Sequence, residues 1–246
     1  MNRTDMRLYF IRHGQSANNA LWEKNKNERG RSFDPVLTEI GHAQAECVAQ
    51  FLRDELALRP NMRDVFAIPE AARPTVVYTS LMTRAVATGI VIARALHVPL
   101  VALHEAHEAG GLYLEDETTG EKTGVPGPNR AHFEQNYPEL VLPESLGESG
   151  WWDRPFEPDE VRHERAERVW QDLLGRHGNT NDVIALVTHG AFYDHLLRVI
   201  LNAPRENHIW FPLNNCGVSR LELTQHGLAL VYHNRFDFLP PQLITL

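Results

Sequence analysis

Three short stretches carry side chains suited to handling a phosphate. The first is Arg12-His13-Gly14-Gln15-Ser16, with Asn18 close behind, directly after the apolar run RLYFI at residues 7–11. Arginine offers a planar fork matched to phosphate oxygens. Histidine offers a nucleophilic nitrogen near neutral pH. Gly14 lets backbone approach a ligand closely. The second stretch is Thr79-Ser80-Leu81-Met82-Thr83-Arg84-Ala85. It places Arg84 in the first turn of an expected helix, where a cation is unfavourable unless an anion lies near. A phosphate would be such an anion, and the helix N-terminus would help hold it. The third is Thr188-His189-Gly190, after the buried-looking run VIALV. A fourth stretch, Leu103-His104-Glu105-Ala106-His107-Glu108, supplies two candidate acids. Together they provide a cationic cradle, a histidine nucleophile and a general acid.

Such groups act together only if the fold brings them to one place. Each stretch follows a short apolar run that reads as a strand: 7–11, 75–79, 99–103 and 183–187. Helices are expected over 38–58, with Thr38 as N-cap, and over 81–96, 157–177 and 192–201, with Gly178 ending the third. Residues 219–223 and 228–233 flank Gly227 and read as a closing hairpin. Strands alternating with helices predict a three-layer α/β/α sandwich around a mostly parallel sheet. In such sheets ligands bind at the carboxyl ends of the strands, where all four stretches fall. Residues 106–156 contain Pro126, Pro128, Pro138, Pro143 and Pro155 and read as an inserted cap. Residues 1–246 are expected to form a single domain around it.

Composition narrows the class. The chain has 246 residues, 43% hydrophobic and 23% charged, with a net charge of −8. These proportions suit a globular domain and exclude collagen-like and disordered chains. Cys47 and Cys216 alone imply no disulfide framework. No apolar run reaches membrane-spanning length, and the N-terminal one is too short for a signal-peptide core. The expectation is a cytoplasmic protein acting on a small phosphorylated substrate, with neither nucleic acid nor membrane as partner.

The ordered motifs resemble the histidine phosphatase superfamily, on its phosphoglycerate-mutase-like branch. The resemblance rests on Arg12-His13-Gly14 with Asn18, on Leu37-Thr38-Glu39-Ile40-Gly41 leading to Gln44-Ala45, on Ser80 with Arg84-Ala85 and Thr88, on Glu105, and on His189-Gly190. It implies that His13 is the phosphorylated nucleophile, with Arg12, Arg84 and His189 binding the phosphoryl group. Asn18, Ser16, Gly14 and Gly190 assist, and Glu105, rather than Glu108, donates the proton. The expected activity is that of a phosphomonoesterase like the histidine acid phosphatases, with no cofactor and no metal. A phosphoglycerate-mutase-type isomerase and a non-catalytic phospho-ligand binding module are the alternatives.

The sequence departs from the family pattern in places. Gln15 and Leu81 stand where an acidic residue and a proline are common. Ala106-His107-Glu108-Ala109-Gly110 replaces the Arg-x-Tyr-Gly of the mutases, which favours a phosphatase. Arg130 and Arg154, in the cap, are expected to meet the substrate. Lys24, Lys26, Arg29 and Arg31 read as a solvated loop or as a contact for an anionic substrate. Trp151-Trp152 reads as packing or as a stacking platform. His104-Glu105-Ala106-His107 is one residue short of a zincin helix motif. Cys216 lacks the Cys-x5-Arg spacing of a cysteine phosphatase, since position 222 is Glu222.

Overall fold

A computed structural model describes residues 6–27, 29–54, 73–204 and 209–246. Strand β1 (Met6–Arg12) alternates between two cores. Tyr9 and Ile11 enter one, while Met6, Leu8 and Phe10 enter the other. Strand β7 (Val183–Thr188) divides the same way, with Val183, Ala185 and Val187 opposed to Ile184 and Leu186. A sheet apolar on both faces must be covered on both. Helices α2 (Glu39–Asp54) and α3 (Thr83–Leu96) cover the first face. Helices α5 (Asp159–His177) and α6 (Gly190–Ile200) cover the second. The result is the expected α/β/α sandwich.

The main sheet adds β2 (Val76–Thr79), β3 (Leu100–Ala102), β6 (Leu140–Val141), β8 (Val218–Thr224) and β9 (Gly227–Arg235). Its seven strands run in the order β6-β3-β2-β7-β1-β8-β9. The first five are parallel, and the β8–β9 hairpin is antiparallel, against β1. Residues 106–156 contribute β6 to this sheet. They also form a separate ribbon of β4 (Tyr113–Glu115) and β5 (Lys122–Gly124), and helix α4 (Arg130–Asn136).

The helix boundaries have local causes. Thr38 caps α2 as expected, its hydroxyl accepting the Gly41 N–H at 3.0 Å. Residues 55–58 of that expected helix lie outside the described residues. Helix α3 ends at His97, in the left-handed region at φ 57°, just ahead of Pro99. Gly178 caps α5. Helix α1 (Ala17–Asn25) is an addition to the expected elements. Ser16 and Asn19 form a capping box at its start, and none of its residues is buried. No helix among the described residues is long and apolar enough to cross a membrane.

Candidate active site

Strands β1, β7 and β2 are neighbours, and their carboxyl ends deliver the three cationic stretches together. Register pairs Arg12 with Thr188 and Thr79 with Val187. His13 therefore falls beside His189, with ring centroids 5.1 Å apart. The loop carrying His13 is fixed through its backbone. The His13 carbonyl accepts from Asn215 Nδ2 at 3.1 Å, and the Gly14 N–H donates to Thr88 Oγ1 at 3.1 Å. A Cβ on Gly14 would lie 2.3 Å from the Gly41 carbonyl oxygen, and one on Gly41 2.1 Å from that of Gln15. Gly14 is thus required by the approach of α2.

The Gly14 carbonyl lies 2.7 Å from His13 Nδ1 and can only accept, so Nδ1 carries the hydrogen. Nε2 keeps the lone pair and receives the Arg84 Nε hydrogen at 3.0 Å. Burial, then Arg84 and Arg12, hold His13 well below the ordinary histidine pKa, so the ring is neutral at physiological pH. Arg12 donates from Nη1 to the Leu213 carbonyl at 2.6 Å, and burial lowers its pKa to about 10. It remains a cation. Burial also lowers Arg84, partly offset by Asp34 at 3.9 Å. Asp34 accepts from the Thr83 N–H at 3.1 Å and from the Thr83 hydroxyl at 2.7 Å. The anion that makes Arg84 tolerable in the first turn of α3 is therefore part of the protein itself. His189 is fully buried and likewise neutral, through burial first and Arg84 next. Its Nε2 lies 2.7 Å from Ser80 Oγ, while Nδ1 has no partner among the described residues.

The two candidate acids part company. After β3 the chain makes a single 3-10 turn, His104–Ala106, which carries Glu105 away from the cavity. Its carboxylate meets Arg168 at 3.0 Å and Arg154 at 3.3 Å. Burial acts to raise its pKa, but these two arginines hold it below the ordinary carboxylate value. Glu108, one turn later, lines the cavity with Arg12, His13 and Arg84. Its carboxylate accepts the backbone N–H groups of Ala109 at 2.8 Å and Phe192 at 2.9 Å. The structure thus brings Glu108, and not the expected Glu105, to the cavity, and the strand expected to run to residue 103 ends at Ala102.

The cavity encloses about 290 Å³. Ser16 and Asn18 line it as expected. Ser16 also caps α1, and Asn18 exchanges hydrogen bonds with the Ser32 backbone at 2.8 and 2.9 Å. Gly190 opens α6, and a Cβ there would meet only Arg12, at 3.6 Å, so glycine is not required. Arg130 and Arg154 lie outside the cavity lining, contrary to expectation. Arg130 donates to the carbonyls of Pro143 at 2.6 Å and Leu146 at 2.9 Å, fastening its own loop. Arg154 covers the Trp152 ring at 4.3 Å and pairs with Glu105. Trp151 and Trp152 are buried packing.

Of the basic run that starts in the last turn of α1, Arg31 lines the cavity, its guanidinium 4.5 Å from the Tyr113 ring centroid and donating to the Tyr113 hydroxyl. Sequence reading passed over Asp34, Tyr113 and Asn215. The signal for Asn215 is the Asn214-Asn215 pair itself, two amides ahead of a turn at Cys216. Gln15 accepts from Thr38 Oγ1 at 2.8 Å and donates to Glu23 at 2.9 Å, bracing α1 against α2. Among the described residues no cluster of His, Cys, Asp and Glu could hold a metal ion.

Solved structures share this architecture. Phosphoserine phosphatase of Entamoeba histolytica, a mutant in complex with phosphoserine, aligns with TM-score 0.57 at 20% identity, covering 96% of this chain and 100% of that one. The same organism's phosphoserine phosphatase in complex with 3-phosphoglyceric acid aligns with TM-score 0.56 at 21% identity and the same coverage. A mycobacterial glucosyl-3-phosphoglycerate phosphatase aligns with TM-score 0.55 at 17% identity, covering 94% and 100%. No curated protein matches the chain. The family model of the histidine phosphatase superfamily, branch 1, matches residues 8–59 and 62–235. That span takes in His13, Arg84 and Glu108, which line one cavity, and His189, packed against His13 behind it, and the chain belongs to the histidine phosphatase superfamily, branch 1.

Proposed function

We infer that the protein is a phosphomonoesterase working through a phosphohistidine on His13. The observation that carries this reading is the neutral His13 ring. Its Nδ1 hydrogen is engaged by Gly14, and its Nε2 lone pair sits against Arg84. A substrate phosphoryl group takes up the Arg84 hydrogen bond and frees that lone pair. Nε2 then attacks phosphorus as the ester P–O bond breaks. Arg12, Arg84 and His189 hold the charge on the equatorial oxygens. We assign the proton donor to Glu108, which lines the cavity, rather than to Glu105, which two arginines keep ionised. Glu108 protonates the departing oxygen and then takes a proton from the water that attacks the phosphohistidine, releasing phosphate and neutral His13. Fixed cations do here what a divalent metal does elsewhere, so turnover continues in EDTA. Residues 1–246 act as one catalytic domain in this reading, and the two free cysteines suit a cytoplasmic setting.

The substrate is a small phosphorylated metabolite. A cavity of about 290 Å³ is of the size that takes a small molecule. Arg31, held over Tyr113, supplies a further cation to the lining. A leaving alcohol bearing a carboxylate would meet it. The phosphoserine and 3-phosphoglyceric acid of the structural neighbours are of that kind.

The test is to quench the enzyme during turnover. Acid-labile, base-stable phosphate should be trapped on the wild type and absent from His13→Ala. Its presence at wild-type level on that variant would assign the nucleophile elsewhere.

A further inference from the structure

His189 raises a question of tautomer. A neutral imidazole has one N–H and one lone pair, and the hydrogen bond at one nitrogen decides which the other carries. Here Nε2 faces the Ser80 hydroxyl at 2.7 Å, and Nδ1 is buried without a partner among the described residues. Ser80 is itself fully buried, and its Oγ also accepts the Met82 N–H at 3.3 Å.

Two arrangements satisfy the 2.7 Å contact. If Nε2–H donates to Ser80, the serine hydrogen has no other acceptor among the described residues. That buried donor and the Nδ1 lone pair are then both unsatisfied. If Ser80 donates to Nε2, the serine is fully satisfied and only Nδ1–H remains. Each unmet buried polar group is costly, so the second arrangement prevails.

We propose that Ser80 is a positioning residue: its hydroxyl fixes His189 as the Nδ1–H tautomer, so that this buried hydrogen is donated to an oxygen of the bound phosphoryl group. The proposal rests on the phosphotransfer reading above and names how one of its ligands is prepared. The opposite tautomer would present a lone pair to an anionic oxygen. The His189 ring lies beside His13, and Arg84 and Arg12 act on it electrostatically. A neutral donor there adds a hydrogen bond without adding a third positive charge beside the nucleophile.

Long-range ¹H–¹⁵N correlation spectra of labelled protein read the tautomer directly, with His189→Gln assigning the signals and inorganic phosphate as the probe. The wild type should show His189 protonated at Nδ1, with that nitrogen shifting when phosphate binds. Ser80→Ala should move the hydrogen to Nε2 or mix the two forms. It should also weaken phosphate binding and kcat/KM together by about tenfold or more, while Ser80→Thr, which keeps a hydroxyl, holds both within about threefold. A wild-type ring protonated at Nε2 overturns the proposal, whatever the variants do. So does a Ser80→Ala protein that loses activity with its tautomer unchanged. The spectra need no turnover: a protein that hydrolyses no phosphomonoester yet shows the Nδ1–H ring and its phosphate shift would sink the functional reading alone.

Discussion

Glu105 and Glu108 are three positions apart and face different surroundings, and a leaving-group series separates them. A general acid contributes about 10²–10⁴-fold, and only where the departing oxygen needs a proton. Glu108→Gln should therefore damage hydrolysis of an alkyl phosphate far more than that of p-nitrophenyl phosphate. Glu105→Gln should affect both little and equally. Selectivity in the Glu105 variant instead would return the proton to that residue. Arg31 makes a second residue-level case. Arg31→Ala should raise KM for phosphoserine by about tenfold, as loss of a charge-assisted hydrogen bond does, with kcat/KM on p-nitrophenyl phosphate nearly unchanged. Equal losses on both substrates would mean that Arg31 supports the fold of the site. At this scale the sequence revealed His13, Arg12, Arg84 and His189, because strand ends mark where ligands bind. It did not reveal Asp34 or Tyr113. They reach the site across 49 residues to Thr83 and across 82 to Arg31, distances along the chain that no local pattern encodes.

The segment carrying Glu108 owes its place to helix α5. Arg165, buried on that helix, pairs with Glu157 at 2.5 and 2.8 Å and donates to the carbonyls of Glu105 at 2.7 Å and His107 at 2.9 Å. Removing one partner of a buried pair strands the other, at about 3–5 kcal/mol. Arg165→Ala should lose that much in urea unfolding. Arg94→Ala, which breaks the exposed pair with Glu139, should lose about 1 kcal/mol or less. Comparable losses in the two variants would refute the clamp. Elements were legible wherever they bury an apolar stripe, as β1, β7, α3 and α6 do. Helix α1 buries nothing and so shows no periodicity, and its capping box was the one mark available. Strand β6 has two residues, too few for alternation to show.

Across the whole molecule, His13, His107 and His189 share one condition. All three are buried and held well below the usual histidine pKa, chiefly by loss of solvation. The unfolded chain would protonate them near the ordinary value of about 6.5, whereas the folded protein does not. Below that pH the unfolded state binds more protons, so stability is fully present above about pH 6.5 and declines as pH falls. The Tm should drop steadily between about pH 7 and pH 5. A Tm that holds level or rises across this range would show that the three rings take up protons inside the fold.

The Gly14–Gly41 contact has a consequence for descent. Two packed side chains can trade volume, one shrinking as the other grows, and so drift through successive sequences. Here both partners are already as small as a residue can be, and each touches main chain rather than a side chain that could rotate aside. Neither position can compensate for the other. In any lineage from this chain the two glycines are kept together or the nucleophile loop parts from α2, with no viable sequence in between.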